Sequence, residues 1–481
     1  MIYLLVLFPL LMAGVTYSVP SNRWRPWCLP LGGTGHLALV MTAVFAWADH
    51  APLAGLDGWL LLDPLGKLFL AYLSVLFFLC SLYAPGYLAL RGDRDNRVIC
   101  TNLFASLSVM TLVTISQHLG LMWVAMEATT LVTSPSIYFN HNARSLEAVW
   151  KYLLIGSVGI ALALFGSFFL AYAALKAGLE TTLLFDELVK AAPHLSPPWL
   201  HAAFVLLFVG YGTKMGLAPM HSWKPDAYGE APGMVGTLLA GGVTSCAFLS
   251  ILRVYQICSA GAEAEFAREI MVFMGLFSMA VAAVFMVRQR DFKRMLAYSS
   301  IEHMGILVLG IGLGGFALYG ALLHLINNGL TKGVLFLSAG NIHRAYGSKL
   351  TDDVRGAIVR VPLSGALFLL GFLAIAGAPP FGPFVSELII VTGAFDTGHF
   401  WAGGLFLLLL GVVFIGMGTT VLAVVLGNPP EHLKPSGYHD NLSTCGPILL
   451  FLAIILWLGL SIPAPLETLL RDAADQLDVH Q

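Results

Sequence analysis

An all-α polytopic membrane protein of about fourteen transmembrane helices is what this sequence predicts, on three observations. Of 481 residues, 58% are hydrophobic and 11% charged, with a mean hydropathy of +0.81; a soluble domain carries about 25% charged residues. Apolar runs near the ~20 residues that cross a bilayer as a helix recur along the whole chain. Two of these runs are interrupted by clusters of Pro and Gly. So little charge excludes a soluble enzyme, a disordered chain and a nucleic-acid binder, which needs a basic surface.

In chain order the expected spans are 2–19, 29–48, 64–90, 98–116, 119–138, 148–174, 199–222, 232–256, 269–287, 294–313, 316–341, 361–396, 403–427 and 443–462. The runs are long and continuous, not ten-residue alternations. Helices, which satisfy their own backbone groups in lipid, are therefore expected over a barrel. The first run lacks a basic flank and a small-residue cleavage site, so it reads as a span and not as a signal peptide.

Lys and Arg set the orientation. Sixteen fall in the odd-numbered connections, from Arg23 to Lys434, and five in the even connections and the tail (Lys176, Lys190, Arg253, Arg268, Arg471). Lys67, Lys151, Lys214 and Lys332 fall inside or at the start of spans. The bias places the odd connections in the cytoplasm and both termini on the other side.

The seventh span is interrupted at Gly216 and Pro219, ahead of His221, Lys224, Pro225 and Asp226. The twelfth is interrupted at Gly377, Pro379, Pro380, Gly382 and Pro383, ahead of Glu387. Pro and Gly stop a helix and free its carbonyls. Paired broken helices in inverted repeats mark the ion path of many transporters. Breaks five spans apart imply a five-helix unit repeated upside down. The expected organisation is 1–92 for helices 1–3, 93–257 for the first repeat, 258–428 for the second, and 429–481 for helix 14 and a short tail.

An ionisable group inside the membrane is expensive and marks function by default. Glu127 lies mid-span in LMWVAMEATTL and Lys214 mid-span in GYGTKMGLAPMHSW. Each can hold the other charged. At 4 Å and an effective dielectric near 20 they attract by about 4 kcal/mol, so separating them would free a proton. His324, Asn328 and Lys332 are spaced i, i+4, i+8 and share one helix face, a polar stripe suited to proton hopping. Glu387 is a further station after the second break. Glu302 and His303, expected near the cytoplasmic face, and His221 and Asp226, beside the first break, are candidates for proton uptake or for interfacial polar contacts. Glu147 and Lys151 read as an i, i+4 pair.

The six Cys (Cys28, Cys80, Cys100, Cys246, Cys258, Cys445) form no CxxC pair, which argues against a disulfide framework or a metal centre. No nucleophile triad, phosphate loop or dinucleotide fingerprint stands out. No cofactor and no metal are expected in the chain, so any redox chemistry would belong to a partner.

The stretches LMWVAMEATTL, KMGLAPMHSWKPDAYGEAP, DFKRMLAYSSIEHMG, HLINNGLTKGVLFLSAGNI and GAPPFGPFVSEL, in that order, resemble the antiporter-like proton-translocating subunits of respiratory complex I and of cation/proton antiporter complexes. WKYLLIGSVGIALALFGSFFL, SSIEHMG and SAGNI are most similar to the branch formed by the hydrogenase-4 (formate hydrogenlyase) membrane component F. The resemblance covers about residues 60–425. It implies that Glu127 is the fifth-helix glutamate, Lys214 its seventh-helix partner, Lys332 the central lysine of the eleventh helix with His324 along the same stripe, and Glu387 the terminal station. Two positions depart from the family pattern. Asn328 stands where a second His is usual. Ser245 lies near the place of an eighth-helix Lys, so water and Ser245 would have to link the two half-channels.

The resemblance implies a proton-pumping subunit of a hydrogenase-type or complex I-like oxidoreductase in a bacterial or archaeal inner membrane. The expected partners are other membrane subunits, peripheral hydrogenase or iron–sulfur subunits, lipid, and protons, with sodium as the alternative ion; nucleic acid is not among them. The competing readings are a cation/proton antiporter or ion-driven uptake module without a redox partner, and a passive anchor that has lost translocation.

Overall fold

The computed structural model describes all residues except 47–51, 93, 262, 431–436 and 479–481. Lys434 and the end of the expected 29–48 span lie outside the described residues. The helices are α1 Ile2–Ser18, α2 Cys28–Met41, α3 Pro64–Ala89, α4 Arg97–Ile115, α5 Leu119–Ile137, α6 Ala143–Lys176, α7 Phe185–Ala191, α8 Pro197–Met215, α9 Trp223–Glu230, α10 Gly233–Leu238, α11 Thr244–Ala260, α12 Ala264–Met286, α13 Phe292–Leu313, α14 Gly315–Tyr346, α15 Ala357–Arg360, α16 Pro362–Ile375, α17 Gly382–Asp396, α18 Phe400–Val425, α19 Leu442–Leu460 and α20 Ala464–Leu477. A two-residue hairpin, Ala54–Gly55 with Leu60–Leu61, sits before α3.

Among the described residues, nine helical stretches are long and apolar enough to cross a membrane. Outside this set, α1 and the broken pair α16–α17 are too short, while α5, α8 and α14 are long enough but less apolar. α5, α8 and α14 carry Glu127, Lys214 and Lys332, whose polar residues lower the local hydropathy, and Glu387 lies on α17. Large apolar side chains such as Leu154, Phe165, Leu408 and Ile415 face outward, while Ser, Thr, Lys and Glu are buried inside. That distribution suits a lipid solvent, and the chain is membrane-embedded.

The helix ends follow local chemistry. Asp63 caps α3 by accepting from Gly66 N (2.9 Å). Asn142 and Ser145 form a capping box that begins α6 ahead of the expected span. Asp291 accepts from Lys293 N and Arg294 N to start α13, and Asn441 caps α19. On the basic side Asp95 accepts from Arg97 N and meets Arg25 at 2.9 Å. The Arg97 N–H first, then the Arg25 charge, hold its carboxyl below the usual range.

Both expected interruptions are present. α8 stops at Met215, with Gly216 in the left-handed region at φ +79, and the chain restarts as α9. The expected 361–396 span is two helices, α16 and α17, with Gly377 at φ +69 between them. α6 packs along α8 through small residues. A Cβ on Gly159 would meet Thr213 at 2.6 Å, and one on Gly210 would meet the Ala163 backbone at 2.6 Å. Small residues let helix backbones approach closely in a membrane.

The expected short tail is in fact the amphipathic helix α20, which buries Leu469, Leu470, Ala473 and Leu477. Gln476 fastens it to the start of α3, donating to Asp63 (2.5 Å) and accepting from Leu65 N (3.0 Å).

Candidate functional site

The first station is built by α5, α6 and α8. Lys214 Nζ lies 2.9 Å from Glu127 Oε2 and also donates to the Thr130 hydroxyl. Ser157 donates to the other Glu127 oxygen at 3.1 Å. Gly156 on α6 leaves the space, since a Cβ there would sit 3.2 Å from the ammonium. The pair expected from sequence is therefore a direct ion pair. Lys214 is 1% exposed and Glu127 22%, so the carboxylate is the end open to the surroundings.

The second cluster lies where α13, α14 and α17 meet. Lys332 is fully buried and donates to Ser299 (2.7 Å). His303 Nδ1 and His324 Nε2 share a hydrogen bond of 2.9 Å, and His324 Nδ1 reaches Ser386 at 3.0 Å. Glu387 is tucked under the second break, where a Cβ on Gly377 would collide with its Oε2. Its Oε1 is buried without a hydrogen-bond partner. His303, His324 and Glu387 bring one ligand atom each to within 4.8 Å of one another, a spacing a metal ion could use. The direct imidazole–imidazole bond occupies a nitrogen on each ring, and such a bond suits proton exchange.

The structure sets the surroundings of the remaining candidate residues. Glu302 and His303, expected near the cytoplasmic face, are both buried and join the central cluster, because α13 packs its whole length inside the protein. Ser245, expected to link the half-channels, donates its hydroxyl to its own helix at Gly241 O (2.6 Å), as buried Ser often does. Among the described residues it bonds neither lysine. Asn328 is on the expected stripe, but its Oδ1 has no partner. Its neighbour Asn327 is the residue that ties α14 to the second break, donating to Gly382 O (2.8 Å) and Ser386 (3.3 Å). His221 is half-buried beside the first break, its Nδ1 without a partner.

Asp226 is a tie between helices. It meets Lys151 of α6 at 2.8 Å and Arg294 of α13 at 2.5 Å, while Lys151 also holds Glu147 at 2.6 Å. Partly exposed pairs of this kind are worth about 1 kcal/mol or less. Asp226→Asn should therefore lower thermal stability by that order and leave proton flux at the wild-type level. A variant with normal melting and lost flux would instead make Asp226 an uptake group.

Sequence reasoning missed Ser299, Ser300, Ser386 and Lys224. The serines carried only the weak signal of small polar residues inside apolar runs. Lys224 was counted with the connection charges, yet it is fully buried in α9, donating to Ser300 at 3.2 Å.

Residues 116–414 match the family described as NADH:quinone oxidoreductase/Mrp antiporter, TM, and the chain belongs to this family of membrane proteins. Among its relatives is a hydrogenase-4 component F homolog of Methylacidiphilum infernorum, 32% identical over 88% of this chain and 87% of the relative. Another is the NADH-quinone oxidoreductase subunit N of Desulforudis audaxviator, 29% identical over 82% of this chain and 80% of the relative. In fold the chain is similar to a chain of the Mrp complex from a Dietzia species, with a TM-score of 0.88 at 20% identity over 99% of this chain and 97% of that one. It is also similar to a chain of Thermus thermophilus respiratory complex I, with a TM-score of 0.75 at 24% identity over 95% and 96%.

Proposed function

We propose that this chain is a proton-translocating, antiporter-like membrane subunit of a hydrogenase-type or complex I-like oxidoreductase, moving protons along a buried relay while partner subunits carry out the electron transfer. The observation that carries the proposal is the series of buried ionisable groups. The Glu127–Lys214 pair leads into the interior, and Lys332, Glu302, His303, His324 and Glu387 continue beside the second break. A passive anchor has no use for five or more buried titratable groups, each costing several kcal/mol in a membrane. The relatives' printed names, hydrogenase-4 component F homolog and NADH-quinone oxidoreductase subunit N, support a redox complex.

On this reading the chain makes fourteen crossings, with inverted five-helix repeats at 93–257 and 258–428, the helices of 1–92 before them and 429–481 after. The two breaks five spans apart support it. The Lys and Arg bias supports an inner membrane with both termini away from the cytoplasm. Other membrane subunits, peripheral hydrogenase or iron–sulfur subunits and surrounding lipid are the partners. The ion is the proton, since His, Lys and Glu in hydrogen-bonded contact serve a proton better than a sodium ion.

The test is the whole complex purified from its source membrane and reconstituted into vesicles, with a pH-sensitive dye inside. Supplying reduced methyl viologen should drive electron transfer and move protons across the membrane. Proton movement driven only by an imposed sodium gradient, with no response to the reductant and no iron–sulfur subunit copurifying, would overturn the proposal in favour of an antiporter.

A further inference from the structure

Between the two stations there is a buried lysine that the relay described above does not use. We propose that Lys224 is the relay group between Lys214 and Lys332, passing protons from one half of the chain to the other. This rests on the proton-translocating reading.

The placement comes from the first break. Met215 ends α8, Gly216 turns the chain, and α9 folds back into the protein instead of leaving it. Trp223 fixes that return by donating from Nε1 to Thr213 O (2.9 Å), one residue before Lys214. The Lys224 side chain then lies across Gly216. A Cβ at Gly216 would meet its Cε at 2.6 Å and its Nζ at 3.0 Å. The amine therefore sits against the end of the helix that presents Lys214.

In the other direction, Lys224 Nζ donates to Ser300 (3.2 Å), and the adjacent Ser299 accepts from Lys332 Nζ (2.7 Å). Two lysines from separate elements thus hang on consecutive serines of α13.

The bonding of Lys224 is unlike that of a structural lysine. A buried ammonium has three donors and is normally paired with a carboxylate. Lys214 has Glu127, and the tie on the basic side, Lys349, has Glu230 at 2.6 Å and Asp291 at 3.3 Å. Among the described residues Lys224 makes no ion pair. Its partners are one serine hydroxyl and, 5.8 Å away, the face of Tyr228. Such surroundings hold an amine in place and leave it free to gain or lose a proton, the behaviour that distinguishes Lys from Arg.

The transfer balances as follows. The Lys214 ammonium gives a proton to the neutral Lys224 amine, leaving Lys214 neutral and Lys224 charged. Lys224 then passes a proton to the Ser300 hydroxyl oxygen, and a hydroxyl proton moves on through Ser299 to the neutral Lys332 amine. Lys224 returns to neutral, Lys332 becomes an ammonium, and both serines end unchanged. Glu127 remains a carboxylate throughout.

The test uses the reconstituted complex with reduced methyl viologen, reading protons moved per electron and the amount of assembled complex. Lys224→Met and Lys224→Arg should each lower the ratio by about a hundredfold, the low side of what loss of an acid–base group costs, at normal complex content. Lys224→His, which retains a titratable nitrogen, should recover part of it. Wild-type pumping in Lys224→Arg would mean that only the positive charge matters and would overturn the proposal, as would wild-type pumping in Lys224→Met. Lys332→Ala run alongside separates the two claims. If it is dead while Lys224→Met pumps, the Lys224 relay alone fails; if it also pumps, the proton-translocating reading fails. Should the Lys224 variants not assemble, Ser300→Ala decides: it removes one hydrogen bond, should lower the ratio by about threefold, and overturns the relay if the ratio is unchanged.

Discussion

Lys332→Ala should reduce proton translocation by roughly two orders of magnitude or more, as expected when an obligate proton carrier is removed, with the complex still assembled. Lys332 sits with no exposure on α14, its amine on Ser299. Among the described residues, removing the side chain takes away the only lysine amine bonded to Ser299. Lys214→Ala should behave alike, because it deletes the partner of Glu127. Assembly should survive, since Lys332 bonds only Ser299 and, without Lys214, Glu127 stays partly exposed and keeps the Ser157 hydroxyl. Proton uptake per electron and the yield of intact complex are the two measurements. Coupled flux at the wild-type level in both variants would remove these lysines from the path.

The second large effect is on stability. Arg253 of α11 and Asp63 at the head of α3, 190 residues apart, form a two-pronged pair. The Nη2–Oδ1 bond is 2.6 Å, and Nη1 meets the other oxygen. Both groups are buried, Arg253 almost completely. Asp63 also caps α3 and accepts from Gln476 of α20. Asp63→Ala therefore leaves a buried guanidinium unpaired, a change that costs about 3–5 kcal/mol. Losing the cap adds about 1 kcal/mol. We expect a large fall in thermal stability in detergent and release of α20, seen as faster proteolysis of the C-terminal segment. The double variant Asp63→Ala with Arg253→Leu should recover much of the loss, because an apolar pair carries no stranded charge. A double variant no more stable than Asp63→Ala would mean that the cap and the Gln476 bond, and not the ion pair, hold this corner.

The contrast between these two predictions shows where sequence information ends. Lys332 and Lys214 were legible because a charge inside an apolar run is anomalous whatever surrounds it. Glu127 was legible for the same reason, and its pairing with Lys214 followed from the need of each charge for a partner. The Arg253–Asp63 pair was not legible. On sequence Arg253 counts as a charge at an even connection, and Asp63 reads as the residue before a span. Neither local pattern reports that the two meet.

The helical class, the membrane setting and the two interruptions were set by composition and by Pro and Gly alone. Those are local properties, since a run of apolar residues needs lipid and a Gly–Pro cluster stops a helix wherever it falls. Depth, pairing and bond direction were decided only by tertiary structure. Lys224 and Asp226 lie two residues apart after the same break, yet one is buried on Ser300 and the other is spent holding α6 to α13. Ser245 stands on a helix at a promising position but gives its hydroxyl to the carbonyl four residues back. Glu302 and His303 stand beside a basic segment, yet both are buried and His303 bonds His324 directly. In each case the residue type sets what a side chain can donate or accept. Only the packing of helices far apart in the chain determines which group it faces, because the free energy of a buried polar group depends on its neighbours and not on its place in the sequence.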